Sequence, residues 1–169
     1  MTAVASDTGL QAVGLGDIRT GSGTGKVVAY GLGSCVGVCL YDPVSRVGGL
    51  AHVMLPENTG GKAHPGMPGR YADSAIANLI ELVTEAGANR DKLEARIAGG
   101  AQMLSAPGLS DKFNIGARNA ATVEVELQKH GLRLRGRDIG GQTGRTLTMD
   151  LETGEVTVKT IGSAGPLTL

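Results

Sequence analysis

CVGVCLYDPVSRVGGLAHVML, residues 35–55, sets two apolar runs on either side of Asp42-Pro43-Val44-Ser45. Proline presets φ for a turn, so the segment predicts a β-hairpin with its reversal at these four residues. Along the first arm Val36, Val38 and Leu40 share one side, and Gly37, Cys39 and Tyr41 share the other. Cys35 and Cys39, the two cysteines of the chain, both lie on this arm, and His52 lies on the second.

Upstream, VVAY (27–30) is β-branched and predicts a strand ending at the Gly31 turn. Residues 1–26 are rich in Gly, Ser and Thr, which predicts a partly flexible N-terminal arm with one short strand. Downstream, ENTGGKAHPGMPGR (57–70) is a loop by composition. The segment 71–87 places Ile76, Leu79, Ile80 and Val83 on one helical stripe, with Gly87 as its stop. LEARIAGG predicts a buried strand, and NIGARNAATVEVELQKHG a second helix with Ala120, Val123 and Leu127 inward. The tail LRLRGRDIGGQTGRTLTMDLETGEVTVKTIG predicts three strands, the last two joined at Glu152-Thr153-Gly154. Strands first, helices in the middle and strands last favour a layered α+β domain over regular βαβ winding. The expected organisation is an arm over 1–26, one domain over 27–162 and a short tail over 163–169.

Composition narrows the function. A chain of 169 residues suits one core, and its 16 basic and 16 acidic residues leave no global charge to attract nucleic acid or an anionic membrane. Tyr30, Tyr41, Tyr71 and Phe113 are the full aromatic set, too few for base-stacking platforms. No stretch is long and apolar enough to span a bilayer, and the N-terminus has no basic region leading into an apolar run. Two close cysteines without an export signal predict a reduced, cytoplasmic protein.

Several motifs fail on inspection. GSGTGK (21–26) imitates a phosphate-binding loop, but Thr20 stands where glycine is required and Val27 where Ser or Thr is. Cys35 and Cys39 could give two zinc ligands, yet a structural site takes four, and His52, His64 and His130 are scattered, so no metal is expected. His130 precedes Gly131 and suits a helix end, and His64 in its Gly/Pro loop suits solvent. Arg133, Arg135 and Arg137 alternate on one face, read as a solvated face or a docking face for an acidic partner. Gly33-Ser34-Cys35-Val36-Gly37 copies a nucleophile elbow, but a strand rather than a helix follows it.

The two cysteines differ in context. Cys39 is mid-strand, where a free cysteine packs as a small hydrophobe. Cys35 follows Gly31, Leu32, Gly33 and Ser34 at the strand entrance, where successive N–H groups can form an anion-binding nest. A nucleophile and oxyanion donors from one short loop suit acyl transfer. A neutral thiol needs a base, and the hairpin brings His52 toward Cys35. Two readings of His52 stay open: the general base, or a core histidine bonded to a backbone carbonyl.

GLGSCVGVCLYDP, GGLAHVMLP, PGRYADSAI, ARIAGGAQM, NIGARN and DIGGQTGR, in this order and spacing, resemble the CheD family of bacterial chemoreceptor glutamine deamidases over roughly residues 27–162. The resemblance implies a three-layered α/β sandwich with mixed sheets and two main helices, shared distantly with the cytotoxic necrotizing factor toxins. It implies hydrolysis of receptor glutamine side-chain amides to glutamate and ammonia, with no cofactor. Carried over by position, Cys35 is the nucleophile, His52 the general base, and the Gly33-Ser34-Cys35 turn the oxyanion site. The implied partners are chemoreceptor cytoplasmic helices and the phosphatase CheC. Ala29 departs from the pattern, because the family commonly has a threonine there to orient the histidine. A backbone carbonyl or another hydroxyl is expected to substitute. The alternative to an active deamidase is a regulatory module that binds receptors or CheC through a weak or vestigial site.

Overall fold

Residues 35–55 form the hairpin around which the rest is layered in the computed structural model, which describes residues 9–104 and 113–169. Strand β4 (Val36–Asp42) runs antiparallel to β5 (Val47–Val53), with Val36 opposite Val53 and Asp42 opposite Val47. The Asp42 carboxylate fixes the reversal by accepting from Val44 N at 2.8 Å and from the Ser45 hydroxyl at 2.8 Å. It also accepts from Asn89 N at 2.8 Å, which ties the turn to the chain leaving the first helix.

The hairpin is the middle of a mixed central sheet. On one flank β2 (Ile18–Ser22) pairs antiparallel with β5; on the other β6 (Glu94–Gly99) pairs antiparallel with β4 and parallel with β7 (Arg133–Ile139). A second mixed sheet has the order β1 (Leu10–Ala12), β3 (Lys26–Leu32), β8 (Arg145–Asp150), β9 (Val156–Thr160) and β10 (Leu167–Thr168). Helices α1 (Ala72–Glu85) and α2 (Ile115–Lys129) join the strands across the middle of the chain.

Strand periodicity decides the layering. Val36, Val38 and Leu40 pack with Ile76, Leu79 and Val83 of α1 and Val123 and Leu127 of α2. Cys39, Tyr41 and Leu50 point the other way, into a second core with Val27, Ala29, Leu32, Leu147 and Met149 of the outer sheet. The result is three layers: helices, central sheet and outer sheet. All seven residues of β4 and all seven of β5 are buried, as befits strands covered on both faces. Each large aliphatic side chain closed off this way contributes about 1.5–3 kcal/mol. Gly37 is small because the outer sheet presses on it: a Cβ there would lie 2.6 Å from Leu147 Cδ2.

Both helices lie where the periodicity predicts. Tyr71 gives α1 no side-chain cap; instead Ala72 N donates to Leu55 O at 2.8 Å and Asp73 N to Pro56 O at 3.2 Å. These bonds satisfy the first free N–H groups while fastening the helix to the exit of β5. The strands at the end of the chain also follow the expectation, with the reversal between β8 and β9 closed by Gly154 N to Asp150 O.

The N-terminal arm departs from it. One short strand is expected over 1–26, whereas the structure has two, β1 in the outer sheet and β2 in the central one. Each is too short and glycine-flanked to show a period of its own, and each is held by distant partners instead. Residues 1–8 of the expected arm lie outside the described residues. The tail over 163–169 includes β10, which pairs antiparallel with β9. Among the described residues no helix is long and apolar enough to cross a membrane.

Candidate active site

Cys35 stands in the short connection between β3 and β4, which carries the chain from the outer to the central sheet. The carbonyls of this connection are all taken. Gly33 O accepts from Ala101 N at 2.8 Å, Cys35 O from Gly100 N at 2.9 Å, and Ser34 O from the Asn119 carboxamide at 2.9 Å. By contrast, among the described residues the N–H groups of Gly33, Ser34 and Cys35 donate to no backbone carbonyl, and that of Cys35 faces its own thiol. A turn held by its carbonyls, with N–H groups left over from the backbone ladder, has the donors that an anion-binding nest requires.

Two glycines make that clamp possible. Gly99 has φ +119°, and a side chain on it would collide with the Cys35 carbonyl oxygen. Gly116, in the first turn of α2, lies so close to the Gly100–Ala101 backbone that a Cβ would collide with the Ala101 carbonyl. The helix, the end of β6 and the cysteine turn are therefore in backbone contact.

His52 lies on β5 opposite Gly37. It faces the gap between the sheets with Leu50, and Cys35 packs against the same inter-sheet core. The two are diagonal neighbours across the β4–β5 ladder, a placement whose backbone separation of roughly 7–8 Å long or polar side chains can bridge. His52 is 3% exposed. Its Nδ1 lies 3.0 Å from Val13 O. A carbonyl only accepts, so Nδ1 carries the proton and Nε2 keeps a lone pair. Val13 follows β1, and its own N–H donates to Val28 O at 2.8 Å, so the acceptor is fixed by the outer sheet.

A structural histidine could also be held by a carbonyl on one nitrogen. The second nitrogen is left over: among the described residues Nε2 is buried with no hydrogen-bond partner. Leaving a buried acceptor unpaired costs about 1–3 kcal/mol, a cost an apolar residue would avoid. Burial pushes the imidazole below its ordinary pKa, against the Val13 hydrogen bond, so the ring is neutral at neutral pH. Burial likewise pushes the Cys35 thiol up, against its own backbone N–H. Both shifts favour the uncharged form of each group, the thiol on Cys35 and the neutral ring on His52.

Ala29 is wholly buried in the inter-sheet core opposite Leu147, with a methyl where a hydroxyl would otherwise stand. Cys39 is 1% exposed and pairs with Leu50 and Arg96; burial pushes it up to about 12, with the Arg96 charge pulling the other way. The other expected candidates lie apart from this turn. His64 Nε2 meets Tyr71 Oη at 3.2 Å on the far loop, and His130 caps α2 with Glu126 at 3.9 Å. Arg135 and Arg137 lie on the exposed face of β7, paired to Glu94 and Glu124. Among the described residues no three His, Cys, Asp or Glu side chains converge to hold a metal ion.

Two site features escape sequence reasoning. The Val13 acceptor is a backbone atom, which no residue type announces. Asn119, 0% exposed, sits in NIGARN; an asparagine facing the core from mid-helix, where its propensity is poor, is the one signal that could have singled it out.

The sequence description of the CheD family, CheD chemotactic sensory transduction, matches residues 54–160. Among curated proteins, the chain is 46% identical over 158 residues to the probable chemoreceptor glutamine deamidase CheD of Symbiobacterium thermophilum, covering 93% of this chain and 96% of that one. It is 46% identical over 149 residues to the probable chemoreceptor glutamine deamidase CheD of Pyrococcus abyssi, covering 88% and 90%. To the chemoreceptor glutamine deamidase CheD of Thermotoga maritima it is 43% identical over 155 residues, covering 92% and 94%.

Proposed function

This chain belongs to the CheD family, and from that premise we propose that it is a chemoreceptor glutamine deamidase, a cysteine hydrolase that converts glutamine side-chain amides of receptor cytoplasmic helices to glutamate. The observation that carries the Cys–His chemistry is the free lone pair on buried His52 Nε2, on the face of the sheet where Cys35 packs.

The residues allow a balanced sequence of steps. His52 Nε2 takes the proton from Cys35 Sγ as the sulfur adds to the γ-carboxamide carbon, and the carbonyl oxygen becomes an oxyanion at the N–H groups of the Gly33–Cys35 turn. The imidazolium, its Nδ1–H still bonded to Val13 O, protonates the amide nitrogen. Ammonia leaves, and a thioester remains on Cys35. His52 next takes a proton from water as the water oxygen attacks the thioester carbon. Collapse of that adduct returns the proton to sulfur and frees glutamate. No step calls on a metal or an organic cofactor.

A regulatory module that binds receptors or the phosphatase CheC through an inert site is the second reading, and Ala29 is the observation that favours it. The Val13 carbonyl weighs against it, since the ring has an acceptor without any hydroxyl at position 29. Binding of CheC would be compatible with an active enzyme, and both belong in the cytoplasm, where receptor helices are accessible.

Mass spectrometry of a receptor cytoplasmic fragment tests the reading. Glutamine-to-glutamate conversion with the wild-type chain and none with Cys35→Ala is the expected result. Conversion by Cys35→Ala would overturn the nucleophile assignment, and binding of the fragment without conversion by the wild type would favour the inert module.

A further inference from the structure

Among the described residues Asn119 hydrogen-bonds to neither Cys35 nor His52, yet it is bonded to near neighbours of both. Its Nδ2 donates to Ser34 O at 2.9 Å and to Met54 O at 2.9 Å. Ser34 immediately precedes the nucleophile, and Met54 lies just beyond His52 where β5 ends. Both N–H bonds of one carboxamide are therefore spent joining the turn that carries the thiol to the strand that carries the base.

Resting on the Cys35–His52 reading, we propose that Asn119 is the positioning residue of this site, setting the separation of Sγ and Nε2 and the aim of the N–H groups in the Gly33–Cys35 turn. Three further observations converge on it. The side chain is 0% exposed, so neither bond is shared with water. Its two acceptors lie just past the strand ends, outside the β4–β5 ladder, where strand pairing does not fix them. The other two carbonyls of the turn are held by Gly100 N and Ala101 N, so the Asn119 bond to Ser34 O completes a three-point clamp. Its base is rigid, because Gly116 presses the same helix against the Gly100–Ala101 backbone.

The alternative is that Asn119 only fastens α2 to the central sheet. The two roles differ in what they change. An anchor affects stability, and its loss slows the reaction only as far as it unfolds the protein. A positioning residue affects the chemical step in protein that is still folded, because a reacting pair displaced by about 1 Å can lose on the order of a hundredfold in rate.

The test compares Asn119→Ala with Val123→Ala, a substitution one turn further along the same buried face, in the apolar core between the helices and the central sheet. Deamidation of a receptor fragment is measured for both at a temperature where each is folded, alongside thermal unfolding and the pH profile of Cys35 alkylation by iodoacetamide. Asn119→Ala is expected to lose at least tenfold in kcat with KM changed less than about threefold, and to shift the alkylation profile, while Val123→Ala keeps kcat and the wild-type profile. Asn119→Ser, with room for a water between the two carbonyls, is expected to behave likewise and replaces the alanine variant if that does not fold. Equal kcat and equal alkylation in the Asn119 and Val123 variants, with Cys35→Ala inactive, would sink the inference and leave the deamidase reading standing. Conversion by Cys35→Ala would remove the dyad, and with it the role of Asn119.

Discussion

His52 Nδ1 is hydrogen-bonded to the carbonyl oxygen of Val13 at 3.0 Å, so a residue of the N-terminal arm orients the candidate base on the central sheet. The acceptor is a backbone atom, and any residue at position 13 supplies it. Val13→Ala is accordingly expected to cost about 0.5–1.5 kcal/mol of stability through lost packing and to leave kcat near wild type. Deleting residues 1–13 removes the acceptor itself, and kcat should fall at least tenfold in protein whose circular dichroism remains native. Undiminished turnover by the truncated chain would show that another group orients the ring.

Ala29→Thr follows from the same bond. With Val13 already on Nδ1, a hydroxyl at position 29 has no vacant role at the ring, and the side chain is enclosed between the sheets against Leu147. The substitution is expected to destabilise by about 1–3 kcal/mol through overpacking and to bring no gain in kcat. A measured rise in kcat would show that the Val13 carbonyl does not fully replace the hydroxyl that the family commonly has at this position.

The pH dependence should carry the sign of the buried imidazole. A base must be deprotonated to act, and burial pushes His52 below the ordinary histidine pKa. The acid limb of kcat/KM is therefore expected to have its midpoint below about 6.5, the unperturbed histidine value, with activity already on its plateau at neutral pH. Alkylation of Cys35 should rise with a midpoint above the ordinary thiol range, because burial disfavours the thiolate. An alkylation midpoint well below about 8 would point instead to a preformed thiolate–imidazolium pair.

What the sequence discloses and what it hides divide along one physical line. The hairpin is legible because Asp42-Pro43 marks its turn and period-2 alternation marks its faces, and α1 is legible because Ile76, Leu79, Ile80 and Val83 repeat over several turns. His52 stands out as a residue type wrong for a plain core strand, and Cys35 by its place directly after the Gly31–Ser34 turn. Strands β1 and β2 leave no comparable trace: three and five residues cannot display a period, and long-range partners hold them. Nor can a sequence pattern reveal the Val13 acceptor, since every residue has a carbonyl. Asn119 falls between these cases, visible as an oddity inside a helix yet interpretable only once Ser34 O and Met54 O are known to meet it.

The two cysteines give the last and most direct contrast. Both face the inter-sheet core, but Cys39 is sealed on β4 between Leu50 and Arg96 while Cys35 is partly open in the turn just before that strand. With burial holding Cys39 up to about 12, iodoacetamide is expected to label Cys35 and spare Cys39 in the folded protein, and both in denaturant. Cys39→Ala should cost about 1–2 kcal/mol by leaving a small cavity between the sheets, with kcat unchanged. Cys35→Ala should abolish turnover at nearly wild-type stability. Peptide mapping of the alkylated protein, read beside thermal unfolding and turnover of the two variants, checks all of these at once. Turnover that survived loss of Cys35 but not of Cys39 would reverse the assignment, moving the chemistry to a thiol the packing shuts away from any receptor.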